Sequence, residues 1–588
     1  MNSIIWRGIS STTIQGLLIS ELPPITKPEM RIAETVIDGR DGSIVEELGY
    51  SSYVKTIIIG LHGNFDINKV IKYFSGDGDV VFSNEPDKVY KAKICGRIDY
   101  TRLLRYRQAS ISFLVQPFKY KLNEYLRETP TATASGTSIV VNDSADAKIK
   151  GFKIYGKSTQ DGTPTPDAPI DIVSLGADGS VRANLNGINL FNLNSGIISA
   201  TNQPVTFINN GFVLDASVQN TRICRFECNL KKGNTYFLSF DTTRVSGNGI
   251  AYAFLPKLLQ YFNLNKPFTP AEDTDELSIY INGDDVPTVL NITNVQVSLS
   301  NAKKDYEVFT EQSATITVNN RLKGIPVTDQ GIATYTDASG QMWYADEIDL
   351  ERGVYIQRCC KETFDGTESW DYENSKKYFI LHHSILGSAT VGTPYCSHFV
   401  RGTTSESGHF FGGSVGFGFY HTSANVSEWK EFLSKQLTNG TPVEIVCSLA
   451  NPIETPLTEE EIAIYKALKT NEPTTTIQND ENAYMMVEYF KPFEVFNEGL
   501  ESSKPLMILK GSGTVEISVN GMPMFSYTFP ENENEVYIDS ETEDAYLGNA
   551  LKNRNMIGEF PNLIPKTNII SWSGDIESIS ILPRSRWL

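Results

Sequence analysis

The sequence predicts a mainly β, multidomain protein in which β-sandwiches carry a few short helices. Runs rich in Val, Ile, Thr, Tyr and Phe recur along the chain, separated by Gly, Asn, Asp and Pro clusters, which is the punctuation of sandwiches and barrels. At 588 residues the chain is too long for one core, and about 150 residues per domain implies about four domains. Hydrophobic residues at 40% and charged residues at 21% can furnish each with a core. No internal repeat of fixed period points to a solenoid.

Three helices are expected. One runs from Asp66 to Phe74 with Gly76 behind it, and a second from Ser427 to Leu437, ending at Asn439-Gly440. The third spans Leu457 to Leu468, where Thr458 and Glu461 form a capping box, Leu457 and Ile462 are spaced for a hydrophobic staple, and Ile464, Ala467 and Leu468 make an apolar stripe. The small residues from Thr129 to Gly136 read as a linker, Asn471 to Thr476 as a second break, and Asn497 to Pro505 as a loop.

With 51 Lys and Arg against 70 Asp and Glu, the net charge of -19 repels phosphate backbones and anionic bilayers, so neither nucleic acid nor a membrane surface is an expected partner. No basic leader precedes an apolar core at the start, and no stretch of about 18 apolar residues offers a membrane span. Seven cysteines, including the neighbours Cys359 and Cys360, argue against a disulfide framework and for a reducing compartment. Cys224 and Cys228 alternate with Phe226 and are expected to be buried thiols.

The two ends of the chain carry a further pattern. The N-terminal part contains Asp38-Gly39-Arg40-Asp41-Gly42 and the run Ile111 to Tyr120. The C-terminal part contains Gly511 to Gly521, Val536 to Glu541, Gly558 to Pro565, Asn568 to Gly574 and the ending Pro583-Arg584-Ser585-Arg586-Trp587-Leu588. Together they resemble the distal tail (Dit) proteins of long-tailed phages that infect Gram-positive bacteria, over about the first 125 and last 105 residues. The resemblance implies an N-terminal ring-forming domain over 1–128 and a galectin-like C-terminal domain over 484–588. The long middle matches the enlarged "evolved" members, which carry inserted carbohydrate-binding-like modules. Residues 129–185 would lead into the insertion, 186–312 would form a jelly-roll module, and 313–483 a second β-rich module. Ile188 to Asn192, Gly233 to Phe240 and Asn294 to Ser298 resemble stretches of such a jelly-roll module. Ile154 to Gln160, with the Thr163-Pro164-Thr165-Pro166 run, is also similar to stretches of phage baseplate proteins.

The resemblance implies a virion structural protein, not an enzyme, made in the host cytoplasm and placed at the tail tip. Its expected partners are itself as a hexameric ring, the tail tube protein, tail-tip, baseplate and receptor-binding proteins, and host cell-wall polysaccharide. No cofactor, metal or catalytic residue is expected.

Arg40 and Asp41 sit between glycines in a tight turn, where an Arg on a loop tip could meet a neighbour's carboxylate in a ring interface. Gly76-Asp77-Gly78-Asp79 is too short for a cation loop and reads as a helix stop. His382, His383, His398, His409 and His421 cluster in sequence without ligand spacing, Cys396 included, and are read as core or surface histidines. Aromatic faces suit the C–H faces of sugars, so Trp370, Tyr372, Trp343 and Tyr344 are the candidate saccharide platforms, with Trp370 expected on an exposed loop beside Glu368, Ser369 and Asp371. The rival class is a glycoside hydrolase, for which Asp346, Glu347 and Asp349 are the obvious carboxylates, although their alternation with Ala345 and Ile348 fits a solvated strand end better. Gly412-Gly413-Ser414-Val415-Gly416 matches a nucleophile elbow only formally, because no helix is expected behind the serine.

Overall fold

A computed structural model describes residues 2–142, 148–176, 179–195, 197–200, 205–216, 222–262, 264–282, 285, 287–318, 321–327, 332–382, 392–402, 405–413, 416–467, 474–479 and 483–588. The protein is mainly β and multidomain. It divides into two compact units: a terminal unit of Met1–Pro130 with Pro492–Leu588, and an inserted unit of Thr131–Lys491.

The terminal unit begins with an eight-stranded antiparallel sheet. Its central strands are Asp77–Phe82, Lys88–Cys95, Gln108–Lys121 and Tyr53–Leu61. Alternate residues such as Ile57, Ile59, Ile111 and Phe113 point into the core, where they meet two short helices. Helix α1 (Ile67–Tyr73) starts where Asp66 accepts from the Asn68 and Lys69 amides, and buries Val70 and Tyr73. Helix α2 (Tyr100–Tyr106), which the sequence did not announce, is capped by Asp99 accepting from the Arg102 amide at 2.9 Å. Seven residues with Leu103 alone buried leave no periodic stripe to read.

A nine-stranded second sheet is organised by two long strands, Leu506–Val519 and Lys566–Leu582, each bent where the register shifts near Gly511 and Ser512. The two ends of the chain trade strands here. Arg586 and Trp587 pair with Tyr120 and Lys119 in the first sheet, while Arg127 and Glu128 pair with Ile581 and Ser580 in the second. Lys88 lies 3.7 Å above the Trp587 ring and Arg586 lies 4.1 Å above Phe118. Arg584 grips Asp539 through two hydrogen bonds of 2.5 and 2.9 Å.

Among the described residues the inserted unit holds three large apolar cores and two smaller clusters, one around Ile325 and Tyr344 and one around Tyr335 and Trp343. The first lies between a seven-stranded and a four-stranded sheet, filled by Phe152, Leu185, Ile316, Ile477 and Val487. The second lies between two five-stranded antiparallel sheets, with a core that runs from Leu190 to Val297. Cys224 and Cys228 are buried in it. In the third, the sheet containing Trp370–Glu373, Tyr378–His382 and Gly416–Phe419 packs with helix α3 (Val426–Thr438). Asn425 caps α3 by accepting from the Glu428 amide, and Trp429 and Leu433 form its buried stripe. Helix α4 (Glu459–Ala467) carries the predicted capping box: the Thr458 amide donates to Glu461 at 2.9 Å, and the Glu461 amide donates to Thr458 Oγ1 at 3.2 Å. Leu468 lies outside the described residues.

Two expected boundaries are corrected. Residues Thr131–Gly136 are not a linker but an edge strand paired with Tyr484–Phe490. Small Thr, Ala and Ser side chains suffice on an edge strand, where backbone pairing rather than a large apolar face holds the segment. That pairing also places 484–490 in the inserted unit, so the terminal unit resumes at Pro492 rather than at 484.

Because the terminal unit owns its core, excision of residues 131–491 with a short Gly/Ser joint between Pro130 and Pro492 should leave a soluble protein with one cooperative thermal transition by circular dichroism. A product that is insoluble or melts without cooperativity would refute this division.

Candidate functional sites

The predicted aromatic platforms are not exposed. Trp370 is 5% exposed at the start of a strand; its ring meets Trp429, Phe364 and Phe419 edge-on, with centroids at 5.3, 5.4 and 5.6 Å. The polar neighbours that suggested a loop tip explain the burial instead. Glu368 folds back to accept from the Asp365 and Gly366 amides and from Trp370 Nε1 at 3.0 Å, which satisfies the indole N–H and lets the ring enter the core. Trp343 is also 5% exposed, donating from Nε1 to Asp337 at 2.9 Å, and Tyr344 is buried beside Ile325 and Cys359. Tyr372 is half-buried and tilts against Phe379. Trp370, Trp343 and Tyr344 therefore offer no free face of the kind a sugar stacks on, and Tyr372 is partly covered.

The suspected catalytic carboxylates are buried and engaged. Lys153 binds Glu347 at 2.9 Å and Asp349 at 2.8 Å, and Arg358 binds Glu347 at 2.7 Å. Burial alone would lower the Lys153 ammonium, but its bonds to Asp349 and Glu347 hold it well above the usual lysine range. Asp346 is fully buried and accepts from the backbone amides of Lys323, Arg358 and Cys359 at 2.7 to 2.8 Å. It anchors the register shift between Gln357 and Cys359. Desolvation pushes its carboxyl up from 3.8 to about 6, against the pull of Lys323 and those amides.

Among the described residues the histidines form no ligand cluster. Buried His398 bonds Ser397 Oγ through Nδ1 at 2.8 Å, while His421 packs on Phe432 at 4.3 Å; burial lowers both imidazoles. Cys396, beside His398, is buried and its thiol is pushed up to about 12. Among the described residues no three His, Cys, Asp or Glu side chains gather as a metal site. His383, Ser414 and Val415 lie outside the described residues.

Arg40 and Asp41 fall at the exposed tip of a hairpin formed by Met30–Val36 and Ser43–Tyr50, turned by Gly39 and Gly42 at φ +83° and +81°. This two-stranded sheet pairs with no other strand among the described residues. Apolar side chains stand exposed on both of its faces. Directly paired residues share a face, so Val36, Val45 and Ile32 lie on one and Ile44 on the other. Neither Arg40 nor Asp41 forms an ion pair among the described residues.

Two clefts mark the Leu190–Val297 sandwich, and aromatic counting over the chain missed both. One, of about 420 Å³, combines Phe207 and Tyr306 with Asn209 and Asn210. The other, of about 720 Å³, is lined by Asn184, Asn186 and Gln478 from the four-stranded sheet and by Glu227, Asp275 and Glu276 from the sandwich. Their sequence signal is polar alternation: in Ala183-Asn184-Leu185-Asn186 the apolar positions enter the core and the asparagines face away from it.

No family model matches the chain, and no curated protein matches it. Among solved structures it is similar to the crystal structure of SPP1 Dit (gp 19.1), described as a paradigm of the hub adsorption apparatus in Gram-positive infecting phages. That similarity covers 51% of this chain and 100% of the other, at 13% identity and a TM-score of 0.18. Among the described residues no helix is long and apolar enough to cross a membrane.

The raised carboxyl of Asp346 makes a pH prediction. Since the folded state holds the proton more tightly, the contribution of Asp346 to stability is full below pH 3.8 and is lost as pH rises through about 6. The unfolding advantage of wild type over Asp346→Asn should therefore shrink by on the order of 3 kcal/mol between pH 4 and pH 8. Urea unfolding at the two pH values measures it, and an unchanged difference would show that the carboxyl titrates normally.

Proposed function

We propose that the chain is a structural protein of a phage tail, of the distal tail kind, whose terminal unit closes a ring and whose inserted unit touches saccharide on the host wall. The observation that carries this reading is the hairpin Met30–Tyr50. An isolated two-stranded ribbon is marginally stable in water, and this one exposes Val36 at 73% and Val45 at 52%. Such an arm suits burial against a second copy of the chain. The residue patterns at both ends, and a terminal unit assembled from those ends around a large insertion, support the same reading. Partners would be five further copies, the tail tube protein and the tail-tip, baseplate and receptor-binding proteins, with Arg40 and Asp41 at the contact between copies. Weak saccharide contacts repeated around a ring gain by avidity, by about 10²–10⁴ where the geometry allows simultaneous engagement.

Light scattering should find a species of six 65.4 kDa chains at high concentration or with tail tube protein present. Replacing Ile44 and Val45 together by Glu should return it to monomer without loss of fold, since both side chains are already exposed. A wild-type protein that stays monomeric under every one of these conditions would overturn the ring.

Adhesion without catalysis is the second half of the reading, and the burial of Asp346, Glu347 and Asp349 favours it over a glycosidase using those acids. Labelled full chain should decorate Gram-positive cells and the protein lacking residues 131–491 should not. Neither should release new reducing ends from cell-wall polysaccharide; protein-dependent release would move the chain to the hydrolases.

A further inference from the structure

We propose that the 720 Å³ cleft binds an amino sugar, with hydroxyls on the amides of its floor and a protonated primary amine between Glu227 and Glu276. This rests on reading the inserted unit as saccharide-binding, and names the class of sugar.

The floor is the outer face of the four-stranded sheet. Asn184 pairs with Gln478 and Asn186 pairs with Glu311, so all four side chains stand on one face. The intervening Ala183 and Leu185 belong to the core on the other side. Gln478 is tied to the Tyr236 hydroxyl at 3.3 Å. Asn186 is different: it is only 6% exposed, it lines the cleft, and its Oδ1 has no hydrogen-bond partner. A buried carboxamide left unpaired carries a standing cost that a ligand hydroxyl would remove, because the amide can turn about its last bond to present either atom.

The wall supplies charge. Glu227 and Glu276 are directly paired across neighbouring strands, next to the register shift between Glu227 and Leu230. Like charges at such a position, with Cβ atoms about 5 Å apart, repel each other, and the sheet gains nothing from them. Five carboxylates line the cleft against two lysines. Both lysines are occupied, Lys231 with Asp273 at 3.5 Å and Lys257 with Asp275 at 2.5 Å; Lys257 reaches Glu276 only at 3.7 Å. A phosphate- or carboxylate-bearing glycopolymer would meet an excess of negative charge, whereas an ammonium would relieve the Glu227–Glu276 repulsion. Leu190 and Phe309 add the apolar surface that the C–H faces of a sugar ring require. The volume falls within the range of sites that enclose small ligands, about 300–1,000 Å³.

Isothermal titration of the full chain with a glucosamine tetramer should show binding, with the N-acetylglucosamine tetramer at least about tenfold weaker and a galacturonic acid tetramer silent. Glu227→Gln, at an exposed position, should weaken the glucosamine tetramer about tenfold, and Asn186→Ala several-fold. Glu559→Gln, an exposed acid of the terminal unit, should change nothing. Equal affinity for the acetylated and free-amine tetramers, or full affinity in Glu227→Gln, would overturn the proposal. So would spermine binding as tightly as the tetramer with the same dependence on Glu227, which would reduce the cleft to a charge trap. The adhesion reading fails separately: tetramer binding as stated without decoration of cells would sink adhesion and leave the amino-sugar site, and decoration unaffected by Glu227→Gln together with no tetramer binding would do the reverse.

Discussion

The exchange of strands between the two chain ends is the constraint on which the terminal unit depends. Tyr120 cannot complete its sheet edge without Arg586, nor Ile581 without Arg127. Neither half is finished alone, so everything between them must be accommodated without separating those pairs. A flexible excursion of that length would cost closure entropy, though slowly, at about 0.6 kcal/mol per doubling. The inserted unit removes most of that cost by bringing its own ends together: its first strand pairs with its last, Thr131 opposite Phe490.

The same device recurs one level down. Asn186, the last residue of its strand before the Leu190–Val297 sandwich, is the register partner of Glu311, the first residue of the strand after it. Phe364 and Val443, which bracket the module containing α3, are also register partners. Each module therefore leaves a sheet and returns to it at paired residues, and the host strands keep their hydrogen bonds whatever the module contains. This is the physical basis on which a chain of 588 residues can be a set of nested insertions and still be cooperative within each unit.

Much of this was legible in the sequence where the signal is local. Asp66 before a short amphipathic run and Thr458 with Glu461 announced α1 and α4 because capping is a contact within one turn. Cys224 and Cys228 alternating with Phe226 announced a buried strand face. What could not be read locally depended on partners far away. Thr131–Gly136 looked like a linker because the strand that makes it a sheet edge lies some 350 residues on, and Trp370 looked exposed because nothing nearby showed that Glu368 would turn inward to satisfy its indole. Arg40 and Asp41 do lie at an exposed tip, which two flanking glycines implied; what meets that tip is a question of assembly and is not written in the turn.

Nesting also bears on where binding chemistry can reside. Aromatic rings are the largest apolar payloads available, and in modules this small they are drawn into the cores, as Trp343, Trp370 and Trp429 show. The junctions between modules are under the opposite pressure. A sheet that fills its core with one face has a second face to dispose of, and where another module folds over that face its residues must be polar enough to stand near water yet paired well enough to be covered. Gln478 meets that demand through Tyr236, whereas Asn186 Oδ1 has no partner and Glu227 stands directly opposite Glu276. An incompletely satisfied polar junction is a poor way to hold two modules together and a good way to hold a hydroxyl-rich ligand, so in this architecture the binding surface is sought first at the seams, where amides and carboxylates gather, rather than among the aromatic residues that the cores consume.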